Sequence, residues 1–372
     1  MATQSFIGLM SGTSLDGVDG VLVEIDVDAP SALHVIAHVH QPFDAPLADE
    51  LLALNAPQPD ELQRAALAGN GVARAYAAVA RELLAAADLP PARVCAIGAH
   101  GQTVRHRPGS FDGTGYTLQL LNPALLAELA GIDVVADLRS RDVAAGGQGA
   151  PLVPAFHQAL FGQPGHAAAV LNLGGIANLS LLHADGRVTG FDCGPANALL
   201  DHWCRQHLGP PYDAGGRWAA GGHVDEALLA DLQGEPYFAL PPPKSTGRDL
   251  FNPAWLHKHR LHAAAPQDVQ ATLAELTAWA CARDLRQHAP ASAELLVCGG
   301  GAFNDDLLRR LAARLPGVPV QPSGVRGLPP DQVEACAFAW LAAMFVHRRP
   351  GNLPTVTGAR GSRLLGALYP AG

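Results

Sequence analysis

Residues 6–19, FIGLMSGTSLDGVD, place a turn rich in Gly, Ser, Thr and Asp between two apolar runs. The pattern predicts a β-hairpin with a glycine-containing turn. Gly12 and Gly17 allow backbone N–H groups to approach a ligand closely, and Thr13 and Ser14 add hydroxyl groups. Such a turn can hold phosphate oxygens, although turns of this composition also join strands without binding anything. No Lys-Ser or Lys-Thr follows the glycines, which argues against a P-loop.

The length and composition indicate a globular chain. With 372 residues and 48% hydrophobic content, it can bury a large core, and its length favours two domains. A formal net charge of −9 argues against a surface that binds nucleic acid or anionic lipid, because both partners require clustered Lys and Arg. We therefore expect neither a nucleic-acid nor a membrane partner.

The cysteine pattern and the apolar runs bear on the compartment. Six cysteines are scattered without a CxxC pair, and no basic and apolar leader opens the chain. Apolar-rich stretches such as residues 335–346 are shorter than the roughly 20 residues that span a bilayer. These features predict a reduced, cytoplasmic protein.

Strands and helices alternate along the chain, which predicts a mixed α/β fold. Strands are expected at residues 32–40 and 94–99, and one or two helices at residues 65–87. His100, Gln102 and Thr103 directly follow the strand at 94–99, where ligand crevices form in α/β proteins, although a capped loop is an equal alternative. The loop after the strand at residue 134 carries Arg139 and Arg141 among glycines, and such a loop is mobile unless something holds it.

Two further glycine-rich turns follow. Residues 168–182 read as a second hairpin, whose turn holds Gly174 and Gly175 between Asn172 and Asn178. Asp192 then stands at the end of a strand, beside a Gly-Pro turn that leads into a helix. The third turn, CGGGAFN at residues 298–304, joins a strand to a helix and presents three glycines without side chains: Gly299, Gly300 and Gly301.

The order of these elements resembles the superfamily of actin, sugar kinases and heat-shock ATPases. In that superfamily two related domains clasp ATP, one hairpin of each domain holds phosphates, and the GGG turn lies against the adenosine. The resemblance implies an α/β, two-domain actin-like ATPase (ribonuclease H-like) fold with ATP in the interdomain cleft. It places the first domain at residues 1–140 plus 347–372 and the second at residues 141–346.

A narrower resemblance covers nearly the whole chain. The sequence is similar to the anhydro-N-acetylmuramic acid kinases in the segments GLMSGTSLDGVD, HGQT, ADLRSRDVAAGGQGAPLVPAFH, NLGGIANLS, FDCGPAN, KSTGRDLFN, CGGGAFN and LPTVTGA. This implies an enzyme that opens 1,6-anhydro-N-acetylmuramic acid with water and phosphorylates O6 with ATP. The products are N-acetylmuramic acid 6-phosphate and ADP, in peptidoglycan recycling.

The resemblance also implies site residues. Asp192 is the expected catalytic base and Glu334 the acid that helps to hold the water and the sugar. The expected ATP contacts are Gly12, Thr13, Ser14, Leu15, Asp16, Gly17, Val18, Asp19, Asn172, Gly174, Gly175, Asn178, Gly299, Gly300 and Gly301. The expected sugar contacts are His100, Gln102, Thr103, Arg139 and Arg141, with one arginine taking the lactyl carboxylate. Lys244 could approach the phosphates.

Plainer alternatives stay open for these residues. Asp192 could bond its own backbone in an Asx turn, and Glu334 could pair with a neighbouring arginine. Each of Arg139 and Arg141 could instead form a salt bridge between loops.

One departure from the superfamily concerns the metal. ATP and Mg²⁺ are the implied cofactors, yet Met10 and Asn172 stand where the superfamily usually has carboxylates near Mg²⁺. Asp16, Asp19 and Asp192 are the nearby carboxylates, and the protein ligands of Mg²⁺ stay unknown at this point.

Two other functions are compatible with the sequence. One is a non-catalytic ATP-dependent clasp, which has no need of a lone acid such as Asp192. The other is an ordinary hexosamine kinase, which keeps Asp192 but needs no second acid to hold water. The expected partner is a small-molecule substrate, and the oligomeric state is open, with a homodimer as one alternative.

Overall fold

The computed structural model describes residues 3–12, 14–26, 28–29, 32–247, 250–259, 261 and 264–372. The chain forms two compact units, Met1–Leu160 with Gln332–Gly372, and Phe161–Asp331. The expected boundaries lay at residues 140 and 346, whereas the first unit here also includes residues 141–160 and 332–346. The reason is packing: the loop after residue 136 is bonded to residues 352–357, and the helix that begins at residue 333 lies on the first sheet.

The strands of the described residues are numbered in chain order. They are β1 Gln4–Met10, β2 Val18–Ile25, β3 His34–Gln41, β4 Val94–Ala99, β5 Gln102–Pro108, β6 Gly115–Leu120, β7 Val134–Ala136, β8 Ala168–Leu173, β9 Ile176–Leu182, β10 Val188–Pro195, β11 Leu295–Cys298, β12 Val320–Pro322 and β13 Ala367–Tyr369.

The α-helices are numbered in the same way. They are α1 Ala45–Ala53, α2 Glu61–Ala86, α3 Pro123–Ala130, α4 Ser140–Ala144, α5 Val153–Phe161, α6 Asn197–Leu208, α7 Arg217–Ala220, α8 Glu226–Gln233, α9 Pro253–Leu256, α10 Pro266–His288, α11 Asp305–Arg314, α12 Val333–Val346 and α13 Pro354–Thr357. No helix among the described residues is long and apolar enough to cross a membrane.

The sheet of the first unit has the strand order β13-β7-β4-β1-β2-β3. Its β1 and β2 form the expected antiparallel hairpin, with Met10 opposite Asp19. Helix α12 lies so close to β1 that a Cβ at Gly8 would meet the backbone oxygen of Ala335 at 1.9 Å. On the neighbouring position Gly20 faces Val79 of α2, so that α2 and α12 cover opposite faces of the sheet. This burial on all sides explains why α12 is apolar all round.

The sheet of the second unit has the strand order β10-β9-β8-β11-β12. Helix α10 belongs to two apolar cores. Ala278, Cys281 and Leu285 pack with the sheet, whereas Val269 and Leu273 pack with helices α6, α8 and α9. This helix therefore fixes the helical part of the unit against its sheet.

The two sheets and their helices confirm the predicted α/β fold class. The expected hairpin at residues 168–182 is β8 and β9, and the strand at 94–99 is β4. The helical stretch expected at residues 65–87 is one helix, α2, because alanine and leucine run through it without a break.

Candidate functional site

The turn between β1 and β2 has an unusual backbone. Leu15 lies in the left-handed region at φ 59°, and its N–H donates to the carbonyl of Gly12 at 3.3 Å. The Ser14 hydroxyl donates to Asp16 Oδ1 at 2.8 Å. Thr13, one of the predicted ATP contacts, lies outside the described residues. The turn carries the predicted residues from Gly12 to Asp19 on one short segment, where backbone and hydroxyl donors are concentrated.

Two of the predicted sugar contacts are bonded to this turn. Gln102 Nε2 donates to the carbonyl of Gly12 at 3.0 Å, and His100 Nδ1 lies 3.1 Å from the carbonyl oxygen of Ser11. Burial, with the nearby Arg139 charge, lowers the pKa of His100 to about 3. The imidazole is therefore neutral near pH 7, and its Nδ1–H donates to Ser11. Gln102 Oε1 is buried without a hydrogen-bond partner in the described part of the chain.

The two arginines of the loop after β7 have different surroundings. Arg139 Nη2 lies 3.0 Å from His100 Nε2, and its Nη1 donates to the carbonyl of Gly149 at 2.8 Å. The expected salt bridge between loops is thus replaced by a bond to a neutral histidine. The Arg141 side chain is exposed. Arg139 consequently fixes His100 and Gly149 in place, whereas the guanidinium of Arg141 faces solvent.

Sequence reasoning did not single out Asp142, which holds this loop. Its carboxylate is fully buried, and Oδ1 accepts from Asn352 Nδ2 at 2.6 Å and from the Thr357 hydroxyl at 2.8 Å. Oδ2 accepts from the Gly149 N–H at 2.8 Å. The LPTVTGA segment therefore clamps the loop that carries Arg139 and Arg141, which answers the question of what holds it. Only the fold brings residues 142 and 357 together.

Two more polar contacts lie beside the first turn. The Ser11 hydroxyl is 2.9 Å from the hydroxyl of Tyr76, a buried residue of α2 that the sequence did not point to. Ser11 Oγ also donates to the carbonyl of Gly101 at 3.2 Å. The Thr103 hydroxyl accepts from Gln119 Nε2 at 3.2 Å, so this predicted sugar contact is tied to the neighbouring strand β6.

In the second unit, strand register brings three predicted residues into one row. Asp192 of β10 is opposite Asn178 of β9, and Asn178 is opposite Asn172 of β8. Directly opposed residues project to the same face, so the three side chains share one face of the sheet. Two strand spacings separate Asp192 from Asn172, a backbone distance of about 10 Å. The row places a carboxylate and two amides where the strands end.

The second and third glycine turns adjoin this row. A Cβ at Gly299 would lie 2.3 Å from Asn172 Oδ1, and one at Gly301 would lie 2.5 Å from the Leu173 Cβ. By contrast, the nearest atom to a Cβ at Gly174 is 3.7 Å away, an ordinary contact distance. The fold therefore requires glycine at 299 and 301 for close packing, whereas Gly174 has room around it. Asn172 Oδ1 has no hydrogen-bond partner among the described residues.

Asp192 is held by residues far away in sequence. The Thr246 N–H donates to Asp192 Oδ2 at 2.9 Å, and the Tyr237 hydroxyl donates to the Asp192 carbonyl at 2.8 Å. The carboxylate bond spans 54 positions, so it is not the local Asx turn considered as an alternative. Lys244 Nζ lies 2.9 Å from Asp284 Oδ2 in the interior. It is therefore committed to a buried ion pair in this structure.

Glu334 lies in the first turn of α12 and belongs to the first unit, whereas Asp192 belongs to the second. It is half-buried. No group of three or more His, Cys, Asp or Glu side chains that could hold a metal occurs within the described ranges. The six cysteines are free thiols.

Taken together, a two-sheet α/β protein with glycine turns at its strand ends and a fixed carboxylate in the same row belongs to the class of ATP-using phosphotransferases. Comparison with known proteins narrows this class. The sequence model of the family described as anhydro-N-acetylmuramic acid kinase matches residues 4–371. The chain belongs to this family.

Curated relatives agree with the match. A protein of Variovorax paradoxus (strain S110), named anhydro-N-acetylmuramic acid kinase, is 63% identical over 378 residues, with 100% of both chains covered. One of the same name from Cupriavidus metallidurans is 58% identical and covers 99% of this chain and 98% of its own.

Solved structures are similar at much lower identity. The activator of the 2-hydroxyisocaproyl-CoA dehydratase from Clostridium difficile has a TM-score of 0.47 at 13% identity, covering 90% of this chain and 93% of its own. A ROK hexokinase from Thermus thermophilus has a TM-score of 0.37 at 16% identity, covering 91% and 100%.

Proposed function

We propose that this chain uses ATP and water to convert 1,6-anhydro-N-acetylmuramic acid into N-acetylmuramic acid 6-phosphate and ADP, with Asp192 as the base. Membership of the kinase family carries the activity. The row formed by Asp192, Asn178 and Asn172 carries the assignment of the base, because it places one carboxylate beside the glycine turns of the same unit. We place the reaction in the cytoplasm, where ATP is available, as a step of peptidoglycan recycling.

The chemistry needs one base and no separate acid for O6. Asp192 accepts a proton from water while the water oxygen bonds to the anomeric carbon and the bond from that carbon to O6 breaks. O6 bonds to the γ-phosphorus, and the bond from phosphorus to the ADP oxygen breaks, so the phosphoryl group takes the place of a proton on O6. A hydrogen bond from the Thr246 N–H favours the ionised carboxylate that a base must be. Glu334 is proposed to help to hold the water and the sugar.

Phosphate contacts are proposed at the glycine turns. The open surroundings of Gly174 leave its backbone accessible to phosphate oxygens, and the turn from Gly12 to Asp19 supplies further donors. The flat surface of Gly299 to Gly301 suits an adenosine. All these contacts rely on backbone groups, in line with a chain that has no P-loop lysine.

Mg²⁺ would be bound mainly through the phosphates. Asn172 Oδ1 is a buried amide oxygen without a partner among the described residues, and it suits a water of the ion's hydration shell. The ion would neutralise charge on the phosphates. Met10, which the superfamily pattern aligns with a carboxylate, offers no oxygen.

For the sugar, we assign the lactyl carboxylate to Arg141. Arg139 has three of its nitrogens within hydrogen-bond distance of His100 and Gly149, whereas the guanidinium of Arg141 is exposed. A guanidinium fork matches a planar carboxylate. Both ring nitrogens of His100 are already used within the protein, so its direct contact with the sugar stays a prediction.

Substitution of the proposed base tests the mechanism. Asp192→Asn keeps the shape but cannot take a proton, so we expect kcat to fall by at least about 10² to 10⁴ while both substrates still bind. Asp185→Asn, an exposed carboxylate on the loop before β10, is the control and should keep full activity. Wild-type turnover by a folded Asp192→Asn variant would refute the assignment.

A second experiment separates the coupled reaction from the ordinary hexosamine kinase. The wild-type enzyme is incubated with the anhydro sugar and a non-transferable ATP analogue in ¹⁸O-labelled water. Because nothing protonates O6, we expect no ring opening without phosphoryl transfer. Release of labelled N-acetylmuramic acid would contradict the coupled mechanism, and ADP formation from N-acetylmuramic acid at an equal rate would favour the hexosamine kinase.

A further inference from the structure

An irregular segment, residues 241–247, holds Asp192 from the side. The Asp192 N–H donates to the carbonyl of Lys244 at 3.2 Å, and two residues later the Thr246 N–H donates to Asp192 Oδ2 at 2.9 Å. The strand itself is interrupted here, because the register of β10 shifts between Asp192 and Gly194. Such bulges redirect a side chain and weaken local pairing. The position of the carboxylate therefore depends on the segment beside it.

The segment has little regular structure of its own to keep it in place. It lies outside every helix and strand, and it begins with Pro241, Pro242 and Pro243, which have no N–H to donate. Its one buried side chain in the interior is that of Lys244, which is 2% exposed. The anchor of the segment is thus a lysine.

Lys244 connects three elements. Its Nζ lies 2.9 Å from Asp284 Oδ2 of α10, whose side chain is 3% exposed. The same Nζ lies 5.6 Å from the ring centre of Phe191 and 5.2 Å from that of Tyr237, within range of a cation–π contact. Phe191 precedes the proposed base, and the Tyr237 hydroxyl bonds to the Asp192 carbonyl. Every partner of the ammonium is therefore next to Asp192 or part of the helix behind it.

Stability alone is a weak reason for such a pair. Removing two charges from water costs free energy that their attraction often fails to recover, and well-packed apolar residues are commonly as stable. The chain contains only two lysines, Lys244 and Lys258, against 23 arginines, and one of the two is buried here. A compact ammonium fits between two rings and a carboxylate, where a planar guanidinium would need more room.

We propose that Lys244 is a positioning residue for Asp192: its ion pair with Asp284 fixes residues 244–246 so that the Thr246 N–H holds the carboxylate. This inference rests on the proposed function of Asp192. Displacement of a catalytic group by about 1 Å can cost about 10²-fold in rate, which sets the scale of the expected effect.

The main test removes both charges at once. Lys244→Met leaves Asp284 buried without its cation, so this single variant should be destabilised. Lys244→Met with Asp284→Leu replaces the pair by apolar groups and should recover the urea midpoint of the wild type. We expect this double variant to keep a kcat lowered about 10- to 100-fold, with KM for ATP within about twofold. Lys258→Met, the exposed lysine of the same unit, is the matched control and should change neither.

Two further variants make each outcome decisive. Tyr237→Phe keeps the ring but removes the bond to the Asp192 carbonyl, and we expect a lower kcat at unchanged stability even if the double variant fails to fold. In an Asp192→Asn background the Lys244 and Asp284 changes should cost little more, because residues that act as a unit are not additive.

The proposal fails if the double variant recovers kcat together with stability, or if Tyr237→Phe retains the kcat of the wild type. It also fails if the loss persists in full in the Asp192→Asn background. Failure of the proposed function is distinct from these outcomes, because it would appear as turnover by Asp192→Asn alone.

Discussion

Asp142 provides the sharpest quantitative prediction about the loop that carries the two arginines. Its buried carboxylate accepts hydrogen bonds from Asn352, Thr357 and Gly149. Asp142→Ala leaves three buried donors without an acceptor, at about 1–3 kcal/mol each. Removal of a buried charge offsets part of this cost, so we expect the loop to lose about 3–5 kcal/mol of local stability.

Hydrogen exchange measures this loss directly. At about 1.4 kcal/mol per factor of ten, the expected loss corresponds to about 10²- to 10³-fold faster exchange in peptides covering residues 139–150 and 351–363. Asp142→Asn should have a smaller effect, because the amide retains one acceptor and presents its NH₂ to a donor. Peptides from α2 should be unchanged in both variants.

Asp112→Ala is the matched control, since Asp112 also accepts from two backbone N–H groups, those of Thr114 and Gly115, but in an exposed turn. It should leave residues 139–150 unaffected. If a folded Asp142→Ala variant keeps its protection in this loop within about threefold, then the carboxylate does not clamp it and the reasoning from buried donors is wrong.

Three further predictions concern ligands and pH. Gly174→Val should weaken ATP binding at least tenfold with little loss of stability, whereas Gly299→Ala should destabilise the fold because its Cβ would lie 2.3 Å from Asn172 Oδ1; calorimetric titration and urea unfolding distinguish the two, and unchanged ATP affinity of Gly174→Val would count against the phosphate turn. Arg141→Gln should raise KM for the sugar about tenfold or more and leave KM for ATP alone, an outcome that equal sugar KM values in steady-state kinetics would exclude. Burial lowers the pKa of His157 from 6.5 to about 3, so the unfolded chain binds its proton first and stability falls as the pH drops below 6.5; His157→Gln should therefore reduce the stability lost between pH 7 and pH 5 by about 2 kcal/mol in urea unfolding, and an unchanged loss would show that His157 is not buried in its neutral form.

Local patterns were sufficient for the elements of this fold. Alternating apolar residues around a glycine turn specify the hairpin of β1 and β2, and a run of alanine and leucine specifies α2, because both signals act between residues that are neighbours in sequence. The same motifs, in their order along the chain, identified the family. Asp192 could be singled out in this way because it stands alone at a strand end.

Contacts between distant residues decided the rest. Asp142 binds Thr357 across 215 positions, and Lys244 binds Asp284 across the turn of a different helix, so neither partner can be found by a search for local spacing. The assignment of residues 332–346 to the first unit has the same origin, since glycine at position 8 lets α12 approach β1. Sequence determines which segments form because their hydrogen bonds are local, whereas the burial of a charge and the partner that it finds depend on how those segments pack.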